Sequence, residues 1–319
     1  MQDQIRLGKW TVSAGLRWDH YQLLVNENAV SPRLGVARYF SGLDLVLHAS
    51  YDRIFQTPES ENLLISSSPQ IVSLSDEVLR LPVKPSHGNY FEVGATKSLF
   101  KQLRFDLNFY DRRVNNFADD DQLLSTAVSF PIAFDKAWIY GVESKLEIPH
   151  WGRLNGFLSY SYMVGSAYLP VTGGLFLGDD AANALNNLTG RFWVSQDQRN
   201  TLRTRFRYQF TNRFWAAAGA EYGSGLPFEF SGTEEDAAAT YSQQVLDRVN
   251  FDKGRVRPNF AFNASAAATI YKTEKLNVRF QVDGQNLNNR LNVIDFGGLF
   301  SGNAIAPPRS YALRLTTSF

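Results

Sequence analysis

The stretch Leu103-Arg-Phe-Asp-Leu-Asn-Phe-Tyr110 places apolar residues at its odd positions and polar or amphipathic residues at its even ones. Successive side chains of a β-strand point to opposite faces, so a strand with this sequence has one apolar and one polar face. The same alternation is found in Leu276-Asn-Val-Arg-Phe-Gln-Val-Asp283 and in Tyr311-Ala-Leu-Arg-Leu-Thr-Thr-Ser-Phe319. The pattern therefore predicts a chain built from two-faced β-strands.

About a dozen segments show this alternation, and several are longer than the five or six residues that are usual for strands of soluble proteins. A tilted strand needs about nine to eleven residues to cross a bilayer, so the lengths favour a membrane protein. The expected strands lie near residues 9–22, 31–40, 43–55, 90–99, 103–112, 134–148, 154–168, 199–210, 213–228, 257–271, 275–290 and 309–319.

Short and long connections alternate along most of the chain. Tight links are expected at Phe40–Leu43, Leu99–Leu103, Phe210–Phe214 and Tyr271–Leu276, and long links near 56–89, 113–133, 169–198, 229–256 and 291–308. Outer-membrane barrels have short periplasmic turns and longer extracellular loops. The fold class is therefore expected to be all-β, a transmembrane antiparallel β-barrel with about 12 strands present, in contact with outer-membrane lipid.

Composition excludes several other classes of protein. The 319 residues carry a formal net charge of +1, so no nucleic-acid partner is expected from bulk charge. No run of eighteen apolar residues occurs, which excludes a transmembrane helix. The chain has no cysteine, and therefore no disulfide or thiolate metal site. Its 24 Phe and 14 Tyr fit strands and the aromatic girdles of barrels.

The alternation also assigns side chains to the two faces of the expected barrel. We expect contact with the membrane for Phe105, Leu107, Phe109, Val278, Phe280, Leu313 and Leu315. The opposite, lumenal face is expected to carry Arg203, Arg205, Arg207, Glu143, Arg279 and Asp283. Both signs of charge are present in the second set, which favours lumenal ion pairs and water contacts. A guanidinium ladder that guides an anionic ligand is the alternative.

Motifs for catalysis or for a cofactor are missing from the sequence. His20, His48, His87 and His150 are scattered and form no metal-binding spacing, and there is no P-loop, dinucleotide fingerprint or G-x-S-x-G. His48 lies near Asp44 and Asp52, which raises the alternative of an embedded hydrolase. The acidic clusters Asp119–Asp121 and Glu234–Asp236 lack the spacing of a calcium loop. We therefore expect no enzyme activity, no metal and no cofactor.

Several segments, taken in order, resemble the TonB-dependent outer-membrane receptors. Ser31-Pro-Arg-Leu-Gly35 is similar to a strand motif of that family, Tyr51-Asp-Arg-Ile-Phe-Gln-Thr-Pro58 to the loop that follows the next strand, and Tyr90-Phe-Glu-Val-Gly94 to a later strand. Gln285-Asn-Leu287 resembles the element before the last long loop. The closing strand resembles the family's barrel-assembly signal, with Tyr311 and Phe319 as its aromatic residues.

The resemblance covers essentially the whole chain and implies a receptor that takes up a scarce solute such as an iron chelate, cobalamin or an oligosaccharide. It implies a small solute ligand at the extracellular loops, assembly by the barrel-assembly machinery, and energy from the TonB system delivered through a plug domain. Residues 250–260 and 297–310 resemble the group with a carboxypeptidase-regulatory-like front domain, whose ligands would be carbohydrates or peptides.

Residues 1–319 are thus expected to be part of an outer-membrane barrel domain, the back half of a 22-stranded barrel. The chain shows no signal peptide, TonB box or plug domain, and Gln2–Arg6 is interpreted as the end of an earlier strand, so we expect a fragment of a longer receptor. One alternative is an autonomous twelve-stranded pore or embedded hydrolase. A soluble ligand-binding β protein is the other.

Overall fold

A computed structural model describes residues 2–22, 26–57, 84–122, 129–173, 190–228, 230, 233–298 and 302–318 of the chain. Most of these residues form antiparallel strands, and most strands pair with the strand that precedes or follows them in the sequence. The strands are β1 (Gln2–Leu7), β2 (Trp10–Gln22), β3 (Asn26–Phe40), β4 (Leu45–Gln56), β5 (Ser86–Leu99), β6 (Leu103–Gln122), β7 (Ser129–Trp151), β8 (Leu154–Gly173), β9 (Arg191–Trp193), β10 (Asn200–Gln209), β11 (Phe214–Gly223), β12 (Val249–Asn250), β13 (Arg255–Val256), β14 (Asn259–Lys272), β15 (Asn277–Gln285), β16 (Val293–Gly298), β17 (Gly302–Ile305) and β18 (Ser310–Ser318).

One large sheet contains 14 of these strands, in the order β1-β2-β3-β4-β5-β6-β7-β8-β10-β11-β14-β15-β18, with β9 paired to β8. All twelve strands expected from the sequence are present. The two additional strands are β1, over the residues interpreted as the end of an earlier strand, and the three-residue β9. Within the described residues, β1 and β18 are the two edges of the sheet and do not pair with each other.

Several strands are longer than their alternation indicates, among them β3 and β5, which begin at Asn26 and Ser86. Strands β6, β7 and β8 extend to Gln122, back to Ser129 and to Gly173, each several residues beyond its predicted end. Alternation reveals a strand only where one face is apolar, whereas the ladder of backbone hydrogen bonds needs no such contrast. These hairpins therefore continue past the point where the two-faced pattern ends.

Six tight turns of the described residues lie at one end of the sheet. They occupy residues 8–9, 41–44, 100–102, 152–153, 210–213 and 273–276. Gly8 and Gly152 each adopt φ of 60°, a left-handed conformation that glycine reaches without the clash of a Cβ atom. The alternation of short and long connections predicted from the sequence is confirmed, and we call this end the short-turn end.

The opposite end carries the long connections, two of which fold together. They contain helix α1 (Glu234–Thr240), helix α2 (Gln243–Leu246), a 3-10 turn (Phe251–Lys253) and the small ladders β12–β13 and β16–β17. At seven and four residues, the α-helices of the described part are far too short to cross a membrane. We call residues 224–258 together with 286–309 the loop lobe, of which 229, 231–232 and 299–301 lie outside the described residues.

No described residue outside the large sheet covers its apolar face. Leu313 is 72% exposed, Trp18 66% and Leu315 64%, and they belong to a face that extends across the sheet. An apolar surface of this extent is typical of contact with a membrane or another protein. The core of the described residues is correspondingly small, and its largest cluster lies in the loop lobe, with three smaller clusters elsewhere.

Candidate functional site

The polar face of the large sheet is continuous from strand to strand. One cross-strand row consists of Thr96, Asp106, Lys145, Ser159, Arg203 and Glu221, each residue opposite the next. Directly opposed residues in an antiparallel sheet share one face. Charged and hydroxyl side chains from six strands therefore line the same surface.

The candidate lumenal residues all lie on this polar face. Arg203, Arg205 and Arg207 occupy alternate positions of β10, and Glu143 opposes Ser161 two positions from that row. Asp283 opposes Ser265, which itself opposes Ala217, the neighbour of Arg207 across β10 and β11. Arg279 lies four positions from Asp283 on the same strand and face.

The same residues do not form a single site. Arg203, Arg205 and Asp283 line one crevice of about 560 Å³, which also contains Arg314. Glu143 lines a second crevice of about 430 Å³, beside His48. The two remaining arginines lie nearer the short-turn end, where the guanidinium of Arg207 stacks 4.3 Å from the ring centre of Trp215. Arg279 opposes Thr269 and Thr316.

The histidine considered for an embedded hydrolase has a different partner from those proposed. His48 Nε2 lies 3.2 Å from Glu92 Oε1. Asp44 instead accepts a hydrogen bond of 2.8 Å from the Tyr39 hydroxyl, and Asp52 lies 3.7 Å from Arg33. Neither aspartate therefore orients this imidazole.

A buried carboxylate, which the sequence pattern does not reveal, joins the sheet to the loop lobe. Asp197 is fully buried in the link between β9 and β10, and its Oδ1 accepts a hydrogen bond of 2.7 Å from the Gly165 amide. Its Oδ2 accepts from Arg199 Nε at 2.9 Å and from the Arg255 guanidinium. A second nitrogen of Arg255 donates to the backbone oxygens of Asp197 and Gly225. We call Asp197, Arg199 and Arg255 the clasp.

The loop lobe has a hydrophobic core of its own around Phe296, which is completely buried. The ring centres of four aromatic side chains lie 5.0 to 5.9 Å from that of Phe296, and most of these contacts are tilted or edge-on. Aromatic rings favour such arrangements over face-to-face stacking. The four rings belong to Phe228, Phe230, Tyr241 and Phe251.

The acidic cluster Glu234–Asp236, which was considered for calcium, forms the first turn of α1 and helps to cap this helix. The Thr233 backbone N–H donates 2.8 Å to Asp236 Oδ2, and the Asp236 backbone N–H donates back to the Thr233 hydroxyl at 3.2 Å. These bonds form a capping box. The pKa of Asp236 lies below its ordinary value of 3.8, because its carboxylate accepts hydrogen bonds from the Thr233 backbone N–H and from the Thr233 hydroxyl. Within the described residues, no group of three or more His, Asp or Glu side chains is placed to hold a metal ion. The side chains of Asp119–Asp121 lie outside the described part.

A crevice of about 450 Å³ separates the polar face from the loop lobe. Arg203 and Glu221 contribute its charged groups from the strands. Gln196, Gln198, Asn259 and Asn292 contribute carboxamides, and Asn259 Oδ1 is buried without a hydrogen-bond partner among the described residues. Gln196, Gln198 and Asn292 come from connections between strands, so no periodicity in the sequence could have revealed these three.

The residues expected to contact the membrane occupy the other face. Phe105, Leu107 and Phe109 oppose Leu146, Ser144 and Val142, and Phe280 opposes Leu315 on β18. Val278 and Leu313 follow by alternation on the same two strands. Tyr311 lies on this face opposite Gly284 and is 66% exposed, while Phe319 lies outside the described residues.

The fold, with its two-faced strands, short turns at one end and long connections at the other, is that of the wall of a transmembrane β-barrel. The sequence profile of the family described as "TonB dependent receptor-like, beta-barrel" matches residues 1–289. The chain therefore belongs to that family, which confirms the resemblance identified from its motifs. Comparison with curated proteins gives no match.

Solved structures share this fold at low sequence identity. The chain is similar to the ferric-catecholate import receptor Fiu from K12 E. coli, with a TM-score of 0.64, 16% identity, and 98% of this chain and 42% of that one covered. The siderophore receptor PiuA from Acinetobacter baumannii gives a TM-score of 0.64 at 14% identity, with 97% of this chain and 41% of that one covered. The FrpB iron transporter from Neisseria meningitidis gives a TM-score of 0.64 at 15% identity, with 99% of this chain and 44% of that one covered. The chain thus spans about two fifths of the length of each of these proteins.

Proposed function

We propose that this chain forms part of the wall and the extracellular loops of an outer-membrane receptor that takes up a small solute with energy supplied by the TonB system. The observation that carries the proposal is the consistent division of the sheet into a polar and an exposed apolar face. Family membership supports it, since relatives of this fold include import receptors. Transport rather than catalysis is the activity we infer.

In this proposal the apolar face contacts outer-membrane lipid and the polar face lines the lumen. The short-turn end then faces the periplasm and the loop lobe faces outward, as in other barrels. Tyr311 and Phe319 would engage the barrel-assembly machinery, and TonB would act through a plug domain. The solute would be captured in the crevice between the polar face and the loop lobe, where Arg203, Glu221 and four carboxamides converge.

The absence of cysteine from the sequence allows a clean test of this topology. A single cysteine would replace either Glu235, at the start of α1, or Gly42, in the turn between β3 and β4. In intact cells, a membrane-impermeant maleimide should label the Glu235→Cys receptor and leave the Gly42→Cys receptor unlabelled until the outer membrane is permeabilised. Equal labelling of both variants in intact cells would contradict the proposed orientation.

Solute capture needs a separate test at the crevice. Arg203→Gln removes the one cation among the described residues that line the crevice. It should raise the solute concentration needed for half-maximal uptake, with little effect on the amount of receptor in the membrane. Arg207→Gln is the matched control, because Arg207 lies on the same strand and face but is stacked on Trp215 near the short-turn end. Equal uptake by the two variants would remove the crevice from the uptake path.

A further inference from the structure

The apolar face of the large sheet carries a group of cations that the proposed solute uptake does not use. Arg53, Arg113, Lys136 and Arg191 lie on β4, β6, β7 and β9, and we call these four residues the basic belt. Asn89 opposes both Arg53 and Arg113, and Tyr168 opposes both Lys136 and Arg191. Adjacent strands lie about 4.8 Å apart, so the two members of each pair are roughly 10 Å apart.

The basic belt shares its face with the residues expected to contact lipid. Arg113 follows Phe105, Leu107 and Phe109 by alternation on β6. It opposes Trp138 on β7, and Lys136 is the next residue of that strand on the same face. Two of the cations lie over indole rings. The guanidinium of Arg113 is 5.7 Å from the ring centre of Trp138, and that of Arg191 is 4.7 Å from the ring centre of Trp193.

Positive charge predominates in the basic belt. Asp111 binds Arg113 Nε at 2.8 Å and also accepts a bond of 2.6 Å from Trp138 Nε1, while Asp135 lies 3.3 Å from Lys136. Arg53 and Arg191 have no carboxylate partner in the described part of the chain. The side chains of Arg113 and Lys136 remain 66% and 64% exposed despite their ion pairs.

The position of the basic belt along the strands matches one edge of a membrane. Arg113 lies ten residues from Leu103, where β6 leaves its short turn. At about 3.3 Å per residue and a tilt of about 40°, this places Arg113 roughly 25 Å above the short-turn end. The apolar band of outer-membrane barrels is about 25 Å tall. Lys136 and Arg191 lie farther from the short-turn end, at the level of lipid headgroups.

We propose that the basic belt binds the phosphate groups of an anionic lipid in the outer leaflet. Guanidinium groups form paired hydrogen bonds with phosphate, and indole rings are stable at the boundary between lipid and water. A lipid with two phosphates would contact both pairs of cations. This inference rests on the outer-membrane placement proposed above and assigns the receptor a specific lipid site on its outer surface.

Native mass spectrometry of the full chain in zwitterionic micelles tests the lipid site, with a bisphosphorylated lipid A as the probe. The double variant Arg53→Gln/Arg113→Gln should bind this lipid about tenfold more weakly than the unchanged protein, because two of the cations that pair with phosphate are lost. The control is Arg17→Gln/Arg33→Gln. It removes the same charge from the polar face, where these arginines are ion-paired with Asp19 and Asp52.

A dephosphorylated form of the lipid should bind all three proteins equally weakly. Equal loss of binding in the two double variants would overturn the proposal, as would equal binding of the phosphorylated and dephosphorylated lipids to the unchanged protein. Cysteine labelling separates the two possible failures. If the loop lobe and the short turns label from the same side, the membrane placement and the lipid site fail together, whereas correct labelling with unselective lipid binding removes the lipid site alone.

Discussion

Asp197 and Arg255 are 58 residues apart in the sequence, yet the guanidinium of Arg255 donates hydrogen bonds to both the carboxylate and the backbone oxygen of Asp197. One partner belongs to the link before β10 and the other to the loop lobe. Asp197 is completely buried, while the Arg255 side chain is 15% exposed. The pair therefore fixes the loop lobe to the wall through charges that have little access to water.

Removal of this carboxylate should release the loop lobe. Asp197→Ala leaves Arg199 and Arg255 facing each other without a counter-ion, and breaking a buried ion pair in this way costs about 3–5 kcal/mol. Hydrogen exchange should then accelerate over residues 249–256, while the strand amides stay protected. Asp247→Ala is the control, since Asp247 is an exposed carboxylate of the same lobe that bonds only locally, to Gln243. Unchanged exchange in Asp197→Ala would mean that the clasp does not hold the lobe.

The loop lobe should also depend on its central ring. Phe296→Ala removes a fully buried side chain that contacts four other aromatic rings, a change that typically costs about 3–5 kcal/mol. Limited proteolysis of the membrane-inserted protein should cut the lobe and leave the strands intact. Phe214→Ala should not increase cleavage, because Phe214 is 40% exposed on the sheet. Resistance of Phe296→Ala to protease would contradict a lobe held together by this core.

The two faces of β15 can be distinguished by placing one charge on neighbouring positions. Phe280→Arg puts a cation on the expected lipid face, where it destabilises a barrel by up to about 2–4 kcal/mol near the bilayer midplane. Gln281→Arg places the same residue on the polar face, beside Arg314. Urea titration of vesicle-inserted protein should show a lower unfolding midpoint for the first variant and a much smaller change for the second. Equal midpoints would contradict the face assignment.

The capping box of α1 should weaken in acid. Hydrogen bonds from Thr233, first from its backbone N–H and then from its hydroxyl, favour the ionised form of Asp236 and lower its pKa below 3.8. A folded-state pKa below the unfolded one means that the stabilisation is complete above pH 3.8 and is lost as the pH falls through the lower, folded-state pKa. Carbon-13 NMR of labelled aspartate should show this carboxyl titrating below 3.8. Thr233→Val should raise its pKa, and an unchanged titration would contradict the role of the hydroxyl.

The strands were predictable from the sequence because each has one wet and one apolar face. The alternation from Leu103 to Tyr110 identified β6, and a similar alternation identified β15 and β18. The ends of β6, β7 and β8 that lie away from the short-turn end were not predicted. Both faces of these strands carry mixed residues there, so the sequence shows no alternation of polar and apolar positions. The face of each candidate residue followed from position alone, and the structure places Arg203 and Phe280 on opposite faces as expected.

The candidate site was less predictable. Arg203 was identified from its face, but Asp197 and Arg255 lie in irregular segments, and a single buried carboxylate has no signature in a sequence. Their meeting depends on how two long connections fold against each other, which involves contacts of high sequence separation. The burial of Phe296 was equally unpredictable, because the segment Asp295-Phe-Gly297 shows no alternation of polar and apolar residues.

The aromatic core around Phe296 means that the loop lobe has a hydrophobic core separate from the large sheet. Changes of sequence on the rim of the lobe can therefore accumulate without altering strand register, as long as Phe296 and the arginine at 255 are retained. Exchange of both connections together between related barrels, residues 224–258 and 286–309 as two grafted segments with β14 and β15 kept between them, is the corresponding engineering route. In the proposed receptor, this exchange should change ligand preference while the strands are inherited unchanged.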